Sequence, residues 1–196
     1  MKTQVINLFG APGVGKSTIA SYIFAELKAK KFNCELVTEF AKDLCWDNNL
    51  DALANQYYVF GTQSYRLSRL VGKVDVIICD SPLPLSIVYA KEHISKHFAN
   101  VVMDDFNRYD NYNYLLLNSS QDYNSAGRIH SKAEAAKLQI GIQNMLNAKS
   151  IFYTPIAFGQ ALDGANIIIR HFLRKHNIYT LPQKSLESQK LNSWVI

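Results

Sequence analysis

Gly10, Gly15, Lys16 and Ser17 satisfy the spacing G-x-x-x-x-G-K-[ST], a pattern suited to binding the phosphates of a nucleoside triphosphate. In the run Gly10-Ala11-Pro12-Gly13-Val14-Gly15-Lys16-Ser17, the glycines keep Cβ atoms out of the way, so successive backbone N–H groups turn toward an anion. Lys16 is expected to reach the β- and γ-phosphates and Ser17 to hold Mg²⁺ through its hydroxyl. Thr18 continues into a helix whose N-terminus adds a favourable field. ATP with Mg²⁺ is the expected cofactor pair.

Two further carboxylate sites follow apolar runs. Asp80 ends the segment VDVIICD and precedes the breaker sequence Ser81-Pro82-Leu83-Pro84; a carboxylate there emerges at the C-terminal edge of a sheet, placed either to work on Mg²⁺ or to cap the next helix. Glu39 and Asp43 come after CELVT, four residues apart, and in a helix would share a face. One of them is expected to orient an acceptor hydroxyl and take its proton, as a phosphoryl transferase requires; a surface acidic pair around Lys42 is the plain alternative.

Positioning these groups takes alternating strands and helices. Val5–Phe9, Cys34–Thr38, Val74–Asp80, Asn113–Asn118 and a short stretch near 150–153 read as strands, and helices are expected after Ser17 and over 52–71, 85–98, 132–147 and 165–175. That order predicts an α/β P-loop NTPase fold, a five-stranded parallel sheet with helices on both faces. The polar stretch SSQDYNSAGRIHS is long enough to form a lid. Residues 1–180 are expected to form one domain, with 181–196 a tail rich in Gln, Ser and Lys.

Composition narrows the classes. A chain of 196 residues, 48% hydrophobic and 19% charged with only 9 Gly and 5 Pro, excludes disorder and low-complexity tethers. No apolar run reaches the roughly 18 residues of a membrane span, and the opening residues enter a strand pattern, so a soluble cytoplasmic protein is expected. Cys34, Cys45 and Cys79 are odd in number and far apart, and read as buried thiols. His93 and His97 stand at i and i+4 without a third ligand and read as surface residues. The net charge of +5 is unevenly placed: 12 Lys/Arg match 12 Asp/Glu up to Ser120, whereas 9 face 4 from Gln121 onward. That basic excess is either a solvated helical face or a surface for anionic partners.

Together with the glycine loop, the segments TEFAKDL, GTQSYRLSRL and VIICDSPLPLSIVYA resemble the P-loop kinase family that includes the ribosylnicotinamide kinase domain of NadR-type proteins, and AAA-like P-loop ATPases and kinases of phages and bacteria. The resemblance runs from Val5 to Tyr153. It implies that Glu39, Phe40, Ala41 and Lys42 match a Glu-aromatic-Ala-Arg segment, that Asp80 matches the strand-ending Asp, and that Arg128 is the lid arginine that folds over the phosphates. His130 and Lys132 compete with Arg128 for that role. It also implies that TPIAFG, Thr154 to Gly159, lies against adenine, and that Trp46, Tyr57, Tyr58, Tyr65, Arg66 and Arg69 cover the acceptor pocket. A core-facing aromatic stripe is the other reading of those rings. Two positions depart from the family: Lys42 replaces an Arg, losing a planar fork of donors, and Pro82 stands where a second acidic residue is common.

The expected activity is transfer of the ATP γ-phosphoryl to a hydroxyl of a nucleoside- or nucleotide-like small molecule. The alternatives are a polynucleotide kinase acting on DNA or RNA and a nucleotide-dependent ATPase switch acting on a protein. Oligomeric state is not legible from the sequence.

Overall fold

A computed structural model describes residues 3–90, 94–118 and 131–175. The chain order is β1 (Gln4–Phe9), α1 (Lys16–Ala29), β2 (Cys34–Val37), α2 (Phe40–Trp46), α3 (Leu50–Ala54), α4 (Gln56–Ser68), β3 (Val76–Cys79), α5 (Leu85–Tyr89), α6 (Phe98–Phe106), β4 (Asp110–Asn118), α7 (Lys132–Ala148), β5 (Thr154–Phe158) and α8 (Ala161–Lys175). The strands form one five-stranded sheet in the order β2-β3-β1-β4-β5, parallel at every pairing. This is the α/β architecture expected.

Alternation along β1 divides the core. Ile6 and Leu8 pack with Ile19, Ile23 and Leu27 of α1 and with Ile168 and Phe172 of α8. On the opposite face Val5 and Ile77 meet Phe60 and Leu67 of α4, and Phe9 and Leu115 meet Ile142 and Leu146 of α7. Both faces of the central strands are therefore covered, which is why they read as continuous apolar runs rather than alternating ones.

Several expected boundaries are corrected. The helix expected over 52–71 is two helices, broken where Asn55 takes an extended conformation and its side chain accepts from Tyr58 N. An asparagine that satisfies an orphan N–H starts a new helix more readily than it continues an old one. The helix expected over 85–98 is α5 alone, and α6 begins where that helix was expected to end. β5 occupies TPIAF, the segment expected to be a loop, rather than 150–153. Pro155 is tolerated because β5 is an edge strand, where a missing N–H need not break a ladder. Cys34 and Cys79 are buried as expected, but Cys45 is only half-buried. His97 lies at the start of α6; His93, Arg128, His130 and the tail from 181 lie outside the described residues. Among the described residues no helix is long and apolar enough to cross a membrane.

Candidate active site

The phosphate-loop sequence folds as its glycines require. Gly15 has φ +105°, a conformation that L side chains rarely adopt, and a Cβ on Gly10 would stand 2.8 Å from Val14 Cγ1. Gly15 precedes α1 and provides no side-chain cap, and the first turn carries no acidic residue. The first N–H groups of a helix lack intrahelical partners, so this end presents donors and a positive field, with no acidic residue in the helix's own first turn to occupy them. Gly13 also has positive φ, 87°. Ala11 is buried, Pro12 and Val14 are half-buried, and Thr18 faces solvent from the first turn of α1.

Lys16 is buried, and its Nζ donates to Gly10 O at 2.8 Å and Ala11 O at 3.1 Å. The ammonium thus arches back over the mouth of the loop, and an ammonium has one further donor to give. Ser17 Oγ donates to Asp80 Oδ2 at 2.7 Å. β1 and β3 are parallel neighbours, with Asn7 opposite Cys79, so Asp80, the residue after β3, falls level with Leu8 near the C-terminal end of β1, from where its side chain reaches Ser17. Asp80 N is secured to Val37 O at 3.0 Å. The carboxylate is 3% exposed, and its second oxygen, Oδ1, is buried without a hydrogen-bond partner. A buried carboxylate oxygen left unpaired is costly. The residues fit Mg²⁺: the donor set is all oxygen, as that ion prefers, and Oδ1 is the orphaned acceptor that the ion or its water would satisfy.

On the β2 side, Glu39 occupies the position before α2 with extended backbone, φ −70° and ψ 117°, but does not cap that helix with its side chain. Gln63 of α4 caps it instead, accepting from Phe40 N at 3.0 Å and donating to Thr38 O at 3.2 Å. The Glu39 side chain thus does not serve as the cap of α2. Its charge contributes to raising the Cys79 thiol, pushed up to about 12 by burial first, with Asp80 and Glu39 adding to it against hydrogen bonds from Ser81 and Gln63. Asp43 points elsewhere: its Oδ2 pairs with Arg66 Nη2 at 2.5 Å, and Arg66 also approaches Thr38 Oγ1 at 3.3 Å and lies over the Phe40 ring at 5.0 Å. Spacing alone makes Glu39 and Asp43 equivalent; the arginine separates them.

Trp46, Tyr57, Tyr58 and Tyr65 are exposed by 48 to 68%, so the reading of a core-facing stripe fails for these rings. The structure adds two glutamines that no motif announced. Gln63 is described above; Gln139 of α7 accepts from Ala11 N at 2.8 Å and approaches Leu116 O at 3.4 Å, fixing the first peptide of the loop to α7 and β4. Phe158 at the end of β5 comes within 3.9 Å of a Cβ built on Gly15, so TPIAFG borders the loop as a strand.

A family model described as an AAA domain matches residues 5–161. No curated protein matches the sequence. Among solved structures, the fold is similar to deoxyadenosine kinase from M. mycoides (TM-score 0.54, 18% identity, covering 89% of this chain and 99% of that one). It is similar to thymidylate kinase from Ehrlichia chaffeensis (TM-score 0.60, 14% identity, 90% and 100%). It is also similar to a NadR protein solved with NAD and AMP-PNP (TM-score 0.68, 11% identity), where it covers 93% of this chain and 52% of that one. The fold is thus that of P-loop nucleoside and nucleotide kinases.

Proposed function

The chain belongs to the AAA domain family, and on that premise we propose that it is an ATP-dependent phosphotransferase acting on a hydroxyl of a nucleoside- or nucleotide-like small molecule. The observation that carries this reading is the Ser17–Asp80 contact at 2.7 Å beside the glycine loop, with the other Asp80 oxygen buried and unpaired. The solved kinases of like fold support it. The proposed setting is the cytoplasm, where ATP and Mg²⁺ are at hand.

In the proposed reaction the N–H groups of Gly13 to Thr18 and the Lys16 ammonium hold the β- and γ-phosphates. Ser17 and Asp80 would hold Mg²⁺, which when bound would supply charge neutralisation for the triphosphate. Glu39 orients the acceptor O–H and takes its proton as the new O–P bond forms. The bond from Pγ to the β,γ-bridging oxygen breaks, and its electron pair leaves on ADP. Arg128 of the lid segment is assigned to the charge on the transferring group. Catalysis of this kind is mostly positioning and fixed electrostatics.

The test is a panel of nucleosides, nucleotides and oligonucleotides incubated with γ-labelled ATP. One small nucleoside or nucleotide is expected to be labelled. Lys16→Ala and Asp80→Asn are each expected to lower transfer about 100-fold or more, the scale of losing one transition-state contact, while circular dichroism stays unchanged. Labelling confined to oligonucleotides, with salt-sensitive binding, points to the polynucleotide reading; full activity in Lys16→Ala sinks the mechanism.

A further inference from the structure

Behind the β2 edge lies a cavity of about 470 Å³ lined by Thr38, Asp43, Thr62, Tyr65, Arg66 and Arg69, with Leu36 and Val37 at its floor. Its volume is in the range of small-molecule sites. Its charges do not cancel. Asp43 is answered by Arg66, whereas Arg69, exposed at the C-cap of α4, makes no ion pair among the described residues. Threonine and tyrosine hydroxyls stand beside the arginines. The floor adds a backbone donor. Asn33 O and Val37 O face β3, bonding Asp75 N at 2.8 Å and Asp80 N at 3.0 Å, so the alternate residues turn their peptide groups outward. Thr38 O follows that rule and is taken by Gln63; by the same rule the Leu36 N–H turns away from β3, and among the described residues no strand lies beyond β2.

We propose that this cavity binds a small phosphorylated molecule, its phosphate held by Arg66 and Arg69 and its organic part against the exposed Tyr65 ring. A guanidinium fork matches a phosphate in plane and number of donors. Occupancy has a consequence for the active site. Arg66 clamps Asp43 and Thr38, the residues on either side of Glu39, so a phosphate that draws Arg66 from Asp43 changes what holds the 38–43 segment. The binding itself does not depend on the phosphotransfer reading; its effect on Glu39 does.

The experiment uses the whole chain with its loop saturated by Mg²⁺ and a non-hydrolysable ATP analogue, so that added phosphate meets only the remaining sites. Inorganic phosphate and nucleoside 5′-monophosphates are titrated by calorimetry. At least one is expected to bind with one-to-one stoichiometry, and Arg69→Ala is expected to weaken it at least about tenfold, the loss of one charge-assisted hydrogen bond, with the melting temperature and ATP-analogue affinity held. Arg66→Lys keeps the charge but loses the fork, and is expected to weaken binding as well. Transfer assays distinguish the source of the phosphate. A monophosphate that is itself phosphorylated, with its KM raised in Arg69→Ala, is the acceptor. One that only alters the KM of a nucleoside acceptor is a separate effector. Either supports the site. No binding of any monophosphate or of phosphate at 10 mM on the order of a weak site's range, or equal binding by Arg69→Ala, overturns it. A chain that binds these anions through Arg69 yet transfers nothing defeats the kinase reading and leaves this site standing.

Discussion

Glu39 and Asp43 are both carboxylates near the end of β2, and the difference between them is made by one guanidinium. With Arg66 Nη2 at 2.5 Å, the Asp43 carboxylate is already held by a donor on α4, which ties it there instead of leaving it to orient an acceptor hydroxyl. Glu39 has its helix-capping duty removed by Gln63, whose Oε1 meets Phe40 N at 3.0 Å. Glu39→Gln is therefore expected to lower kcat about 10²- to 10⁴-fold, the range for a general base, with the KM for ATP changed only a few-fold. Asp43→Asn is expected to cost far less in kcat and to show mainly as a lower melting temperature. Steady-state kinetics of the two variants side by side decide the assignment, and a larger kcat loss in Asp43→Asn reverses it.

At the scale of elements, two helical glycines make opposite predictions. Gly164 lies in α8, and a Cβ there would meet Phe158 Cγ at 3.0 Å and Ile19 Cδ1 at 3.2 Å. The missing side chain is what lets α8 sit close to both β5 and α1. Gly164→Ala raises helix propensity by about 1 kcal/mol but overpacks a buried contact at a cost of roughly 1–3 kcal/mol; a net loss of stability is expected. Gly61 lies in α4 with nothing within 4 Å of the added carbon. Gly61→Ala is expected to stabilise by about 0.5–1 kcal/mol. Urea denaturation of both variants checks the pair; stabilisation by Gly164→Ala would show that the α8 packing gives way freely. Element boundaries follow the same local logic. Asn55 splits an apolar pattern that periodicity alone runs together, because its side chain accepts from Tyr58 N at 3.2 Å, and a residue's capping partner is not visible in hydrophobic spacing.

Across the whole molecule, the sheet order brings distant segments together. β4 and α8 are joined by Tyr114 Oη and His171 Nδ1 at 3.0 Å. Burial, then Lys175 and Arg174, hold His171 below the ordinary value of 6.5. The folded chain thus binds this proton less readily than the unfolded one, so the contribution to stability is full above 6.5 and is lost as pH falls from there through the lower folded value. The melting temperature is expected to drop between pH 7 and pH 5, and less steeply in His171→Asn; equal slopes in the two proteins would remove His171 as a source. The fold class and the phosphate loop were legible in the sequence because both rest on local chemistry: strand-length apolar runs, glycines where a Cβ clashes, a lysine and a serine at fixed spacing. The strand that leads into Asp80 was legible for the same reason, though it is shorter than expected, Val76–Cys79. The loop's anchor, Gln139 on Ala11 N, was not, since a glutamine on a helix more than a hundred residues away carries no local mark. Nor was the choice between Glu39 and Asp43, which spacing leaves equal. The sequence by itself determined which groups can bind a triphosphate; only the packing of α4 and α7 against the sheet decided which side chains hold those groups in place, because hydrogen-bond partners are set by distance in space and not along the chain.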